Sequence, residues 1–188
     1  MVTTPNYSLV LDHPRWDDLH AMKRIAQVFA EFYENGLDCA LHPNGRTFQD
    51  FRRWQSFIAE RCEVQVLAYE FITGPNRSGR RQFHLDRLAE LADVANRPLD
   101  IVVRGNPQVI PFLRGHFRKV VYIDTTAFVK TQKRRIAERA ANNALEWVPI
   151  GTPPGAPLDH LLKTNIEEQV AYLRATYYLM PPLVARAA

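Results

Sequence analysis

Short apolar runs recur along the chain, each closed by polar or turn-forming residues. Four stand out: Leu37–Leu41, Val64–Phe71, Leu99–Val103 and Val120–Ile123. Runs of this length, bounded by turn signals, read as buried strands. An opening strand is expected at Tyr7–Leu11 and a short sixth at Trp147–Ile150.

Helical spacing separates the runs. Leu19, Met22, Ile25, Ala26, Phe29 and Phe32 line one face from Trp16 to Tyr33, and Asn35-Gly36 ends that helix. Thr47 and Asp50 have capping-box spacing, and Phe48, Phe51, Trp54 and Ile58 share a face after them. A glycine- and arginine-rich loop, Gly74–Arg81, precedes a helix marked by Leu85, Leu88, Ala89 and Ala92. Asn106-Pro107 reads as an N-cap followed by proline at the first helical position, with Val109, Ile110 and Leu113 facing inward. Ile136, Ala137, Ala140, Ala141, Ala144 and Leu145 form an apolar stripe that predicts another helix. The proline-rich stretch Thr152–Pro157 leads to a last helix over about Leu158–Tyr178.

Alternation of strand and helix implies right-handed crossovers and a parallel sheet. The expected fold is therefore α/β. About six βα units would form a parallel sheet, open or as an incomplete TIM-barrel-like arc, covered by helices. The 188 residues fit one domain, 1–188, with the last helix packing on the sheet. No internal repeat, long linker or low-complexity tract interrupts it.

The polar residues that close the strands are the candidate chemistry. In such sheets the C-terminal strand ends share one edge, where ligands bind. The first run leads to His42, Asn44 and Arg46, in a turn that opens a helix; helix N–H groups beside an arginine suit a phosphate or carboxylate. Glu70 interrupts the apolar run Val66–Ile72. A carboxylate there needs a partner such as Arg46 or Arg104, or serves as a general base or metal ligand. Arg104 ends Ile101–Val103 and precedes Gly105, placing a second cation before a helix start. Asp124 follows Val121–Ile123, where an acid is either catalytic or helix-capping. His42, Glu70 and Asp124 are the candidate catalytic residues; Asn44, Arg46, Arg104 and Lys130 are the candidate anion-binding ones. Bland readings stand beside these: a hydrogen-bonded edge histidine, a structural ion pair, a loop-closing aspartate.

Composition narrows the classes. No run of 18 apolar residues exists, so no membrane span or membrane partner is expected, and the start of the chain has no secretory pattern. Cys39 and Cys62 give no disulfide framework. A cytoplasmic protein with reduced thiols is the expectation. The formal charge of +4 permits an anionic partner without requiring one. The densest basic run, Lys130–Arg135, together with Arg77, Arg80 and Arg81, suggests a rim for nucleic acid that includes Lys133 and Arg134. Its ordinary meaning is a solvated helix face, with Glu138 and Arg139 opposite the alanine stripe. His84 and His116 read as helix-surface residues.

No phosphate-loop, nicotinamide-binding or zinc-protease motif occurs. A divalent metal stays open, with His42, Glu70 and Asp124 as ligands if the sheet brings them together. Three classes follow. The first is an enzyme acting on a phosphorylated or nucleic-acid substrate by hydrolysis or by nucleobase or glycosyl transfer. The second is a non-catalytic nucleic-acid-binding module using the rim, and the third an interaction or regulatory protein with a protein partner.

Overall fold

The computed structural model describes residues 1–7, 9, 14–77 and 79–179. They fall into two compact units, one ending at Tyr122 and the other beginning at Ile123.

The first unit opens with β1 (Val2–Thr3), α1 (Arg15–Glu34) and β2 (Cys39–Ala40). It continues with α2 (Phe48–Ala59), β3 (Val66–Phe71), α3 (Arg81–Ala95), β4 (Asp100–Gly105), the short α4 (Ile110–Arg114) and β5 (Lys119–Ile123). β1 and β2 pair in parallel, Val2 opposite Cys39. β3 and β4 pair in parallel from Val66↔Asp100 to Phe71↔Gly105. β5 lies on the other side of β4. A single parallel bridge, Leu41↔Leu67, connects the end of β2 to β3. Leu41, Leu67, Phe71, Ile101 and Val103 are fully enclosed, as are Phe51 and Ile58 of α2 and Leu88 and Leu91 of α3.

Local chemistry sets these elements. Thr47 and Asp50 make the capping box of α2: the Thr47 hydroxyl accepts the Asp50 N–H and the Asp50 carboxylate accepts the Thr47 N–H at 2.9 Å. Asn106 accepts the Gln108 N–H and so starts the turn after β4. Gly105 has φ +110°, and a Cβ there would sit 2.3 Å from the Phe71 carbonyl oxygen. Only glycine fits that approach of β4 to β3. At the opposite end of the unit, Arg97 donates to the carbonyls of Ala95, Ile58, Arg61 and Val64. It satisfies carbonyl groups that the end of α2 leaves without helical partners.

The second unit contains α5 (Thr126–Gln132), β6 (Arg135–Arg139), β7 (Leu145–Pro149) and α6 (Asp159–Tyr177). β6 and β7 form an antiparallel hairpin with Ala137 opposite Trp147. The side chain of Asn165, fully buried in α6, accepts the Ala137 N–H and donates to the Thr131 hydroxyl and the Arg135 carbonyl, each at 2.8 Å. One amide thereby joins α5, β6 and α6.

Two expectations are corrected. The six-unit parallel sheet, open or as an incomplete barrel-like arc, does not form. The sheets are small, in the orders β1–β2, β3–β4–β5 and β6–β7, and none closes into a barrel. β1 and β2 are two residues long, and Pro43, which has no N–H to donate, follows β2 closely. The pairing therefore passes to β3 through one bridge.

The helix expected from the alanine stripe is instead the β6–β7 hairpin. Asn142-Asn143 interrupts the stripe, and Asn143 takes the left-handed conformation, φ +65°. The Asn143 N–H donates to the Ala140 carbonyl and the Ala140 N–H to that of Ala144, closing a tight turn. Alanines bury too little surface to override it. The strand expected at Trp147–Ile150 is thus antiparallel, and the last helix packs on α5 and β6. A helix that the pattern did not indicate, α5, starts where Asp124 accepts the Thr126 N–H. The opening strand expected at Tyr7–Leu11 lies largely outside the described residues; Val2–Thr3 is the strand paired with β2.

Candidate functional site

Parallel pairing puts the ends of β2, β3 and β4 on one edge of the first unit. Glu70 stands directly opposite Arg104 in the β3–β4 register, with its Oε1 3.6 Å from the guanidinium. Its Oε2 accepts from the Asn6 amide at 3.1 Å. Both charged side chains remain well exposed, 36% for Glu70 and 48% for Arg104. An ion pair this open contributes roughly 0–1 kcal/mol to stability. Folding gains little by ending two buried strands with it.

His42 follows the β2–β3 bridge. Its N–H donates to the Thr4 hydroxyl at 2.8 Å, and its ring stacks on Tyr69 with centroids 5.4 Å apart. The ring is 4% exposed, and neither nitrogen finds a hydrogen-bond partner among the described residues. Burial lowers its pKa to about 4, against the opposing pull of the Glu70 carboxylate. The imidazole is therefore neutral near pH 7.

Behind it, the Tyr69 hydroxyl and His84 Nδ1 share a 2.7 Å hydrogen bond. Burial, with the nearby Arg80 charge, lowers His84 to about 4, and burial raises the Tyr69 hydroxyl. His84 is thus a core residue of α3, not the helix-surface residue expected from the sequence. His116 is half-buried against Phe112.

Other candidates at this edge are already engaged. The Asn44 amide donates to the Asn6 side chain and the Tyr7 carbonyl, fastening the start of the chain to the strand end. Arg46 reaches the buried Asp18 at 3.0 Å. Arg15 pairs with both Asp18 and Asp50, so these acids and arginines tie α1 to the start of α2. The anion-binding role expected of Asn44 and Arg46 therefore competes with structural bonds.

The loop after β3 sits between its neighbours. Arg80 donates to the Arg46 carbonyl, Asn76 accepts from Asn106, and Arg81 donates to Gln108. Arg77 and Arg80 are exposed. No carboxylate among the described residues forms a salt bridge with Arg77, Arg80 or Arg81.

The remaining candidates belong to the second unit. Asp124 Oδ1 accepts from the Thr126 N–H at 2.8 Å and its hydroxyl at 2.6 Å, while Oδ2 accepts from Gln169 at 2.5 Å. Both carboxylate oxygens are thus occupied, one by Thr126 at the start of α5 and the other by Gln169 of α6. Lys130 lies 5.8 Å over the Trp147 ring, and Arg134 bonds the Thr152 hydroxyl. Lys133 is exposed. Glu138 and Arg139 lie on β6, and Arg139 pairs with Glu168 at 3.0 Å.

Among the described residues no three His, Cys, Asp or Glu side chains are grouped as a metal site. Cys39 is buried and Cys62 exposed, both free. Asn6 and Thr4, which hold Glu70 and the His42 backbone, were missed from sequence; they lie before the first strong apolar run, and nothing local marks them. No helix among the described residues is long and apolar enough to cross a membrane. No family model, curated protein or solved structure matches the chain.

Proposed function

We propose that the chain is an enzyme acting on a phosphorylated or nucleic-acid substrate, with its site at the ends of β2, β3 and β4. The observation that supports this reading best is the exposed Glu70–Arg104 pair closing two otherwise buried strands. Arg104 holds an anionic oxygen with the donors that Glu70 leaves open. Glu70, fixed by Asn6, takes the proton from an attacking water as its oxygen bonds the substrate. The Glu70 carboxyl returns that proton, directly or through water, to the leaving oxygen as its bond breaks. His42 is the second group, a neutral imidazole within reach of the Glu70 charge whose nitrogens the described residues do not use.

The test uses the full chain, with and without magnesium. The probes are a nucleoside 5′-monophosphate and a 5′-labelled single-stranded oligonucleotide. Turnover of one probe by the wild type, reduced about 100-fold or more in a folded Glu70→Gln variant, is the expected result. Absence of turnover, or turnover undiminished by Glu70→Gln, overturns the reading. The open arginines of the loop after β3 favour a second reading, a non-catalytic nucleic-acid-binding module, for which binding without turnover is the expected result.

A further inference from the structure

An aromatic and arginine cluster covers the first turns of α2 and α3. Phe48, the first residue of α2, is 61% exposed, although helical spacing assigned it to the buried face. Its ring meets Phe83 of α3 edge-on at 5.2 Å. Arg87 lies over the Phe48 ring at 4.4 Å, and Arg80 over the Phe83 ring at 4.8 Å. More than half of the Phe48 side chain stays in water, so most of its surface is not used by the core. Two guanidinium groups within cation–π distance of the rings add positive charge to this aromatic surface.

The charge around it is lopsided. Residues 46–53 and 77–87 carry Arg46, Arg52, Arg53, Arg77, Arg80, Arg81 and Arg87 against Asp50 and Asp86. Asp50 is buried in the capping box, and Asp86 accepts from Gln82. Glu90 lies one turn further along α3, pairing with Arg87 at 2.5 Å and accepting from Gln55. Arg77, Arg80 and Arg81 lack such partners among the described residues. The cluster also borders the strand-end site, since Arg80 bonds the Arg46 carbonyl four residues beyond His42.

We infer that the exposed Phe48 and Arg80, backed by the half-buried Phe83 and the largely buried Arg87, form a stacking platform for single-stranded nucleic acid, whose phosphates Arg77 and Arg81 hold. Aromatic and guanidinium planes bind unpaired bases because every base has a π-face, and a duplex keeps those faces stacked inside. The platform deepens the proposed function by naming its substrate class, and it is tested by binding rather than turnover.

The experiment follows fluorescence anisotropy of a labelled 12-nucleotide oligothymidylate with the full chain. Wild type binds, and binding weakens steeply with salt. Phe48→Ala weakens it about tenfold, and Phe48→Trp restores it. The Arg77→Gln/Arg81→Gln variant weakens binding and flattens the salt dependence by about two phosphate contacts. An abasic oligomer of equal length and a duplex both bind more weakly than the single strand. Circular dichroism establishes that each variant is folded; should Phe48→Ala not fold, Phe48→Leu is read in its place. No binding by wild type, equal binding by Phe48→Ala or Phe48→Leu, or equal binding of the abasic or duplex probe overturns the platform. Phe48→Ala weakens binding by the same factor in the Glu70→Gln background as in the wild type, since the platform does not include Glu70. Lost turnover with intact binding therefore reports on the strand-end site, and lost binding in the Phe48 variants reports on the platform.

Discussion

The two units treat their polar side chains in opposite ways. In the second, buried or half-buried polar groups meet matched partners: Asn165 makes three hydrogen bonds, Asp124 uses both oxygens, and Arg134 and Arg139 each have a receptor. In the first, the strand-end edge keeps a buried histidine whose nitrogens bond no described residue, an exposed carboxylate–arginine pair, and, beside an exposed phenylalanine, arginines that pair with no carboxylate among the described residues. Satisfied polar groups specify a fold. Groups that folding leaves unused, or buries at a cost, mark where the fold has been shaped for something else.

The largest expected effect is in the saturated unit. Asn165→Leu strips partners from the Ala137 N–H, the Arg135 carbonyl and the Thr131 hydroxyl. A loss of about 3–5 kcal/mol is expected, read from urea unfolding followed by circular dichroism. A loss below about 1 kcal/mol would show that the amide is not the joint of this unit.

Acid tests the other side. His42 is neutral in the fold, with its pKa brought from 6.5 to about 4 by burial. Above pH 6.5 it is neutral folded or unfolded and costs nothing. As pH falls from 6.5 to 4 the unfolded chain takes up the proton and the folded one resists it. Stability therefore drops, by about 3 kcal/mol for this one residue. His84 adds to the fall in the same direction. His42→Phe keeps the stack on Tyr69 and removes the titration. Its unfolding free energy falls less between pH 7 and pH 4 than that of the wild type; identical slopes would contradict the account.

The closed end of the first unit sharpens the comparison. Arg97→Met removes donors from the carbonyls of Ile58, Arg61 and Val64. A cost of about 2 kcal/mol is expected, with probe turnover per folded molecule unchanged. Loss of turnover would tie the two ends of the unit together.

Much of this was legible in the sequence where the signal is local. Helices α1 and α2, the Thr47–Asp50 box and the Asn106 turn follow from spacing and capping chemistry. The strand-end Glu70 and Arg104 stood out because charges closed apolar runs. The rest depends on partners distant in sequence. Arg97 reads as an ordinary surface cation until three carbonyls from residues 58–64 surround it. His84, a polar residue read as surface, turns inward to Tyr69 between the apolar Phe83 and Leu85. The hairpin was hidden because alanines satisfy helical spacing without enforcing it, while two asparagines decided the turn.

The smallest expected stability effect accompanies the sharpest functional one. Glu70→Gln keeps shape and removes charge from a pair that is already half in water. The decisive measurement is a thermal melt of Glu70→Gln and wild type beside turnover of the labelled single-stranded oligonucleotide. The account predicts melting within the range of about 1 kcal/mol and turnover reduced about 100-fold or more. A clear fall in melting temperature, with turnover retained by the folded fraction, would make Glu70 a structural partner of Arg104 and contradict it.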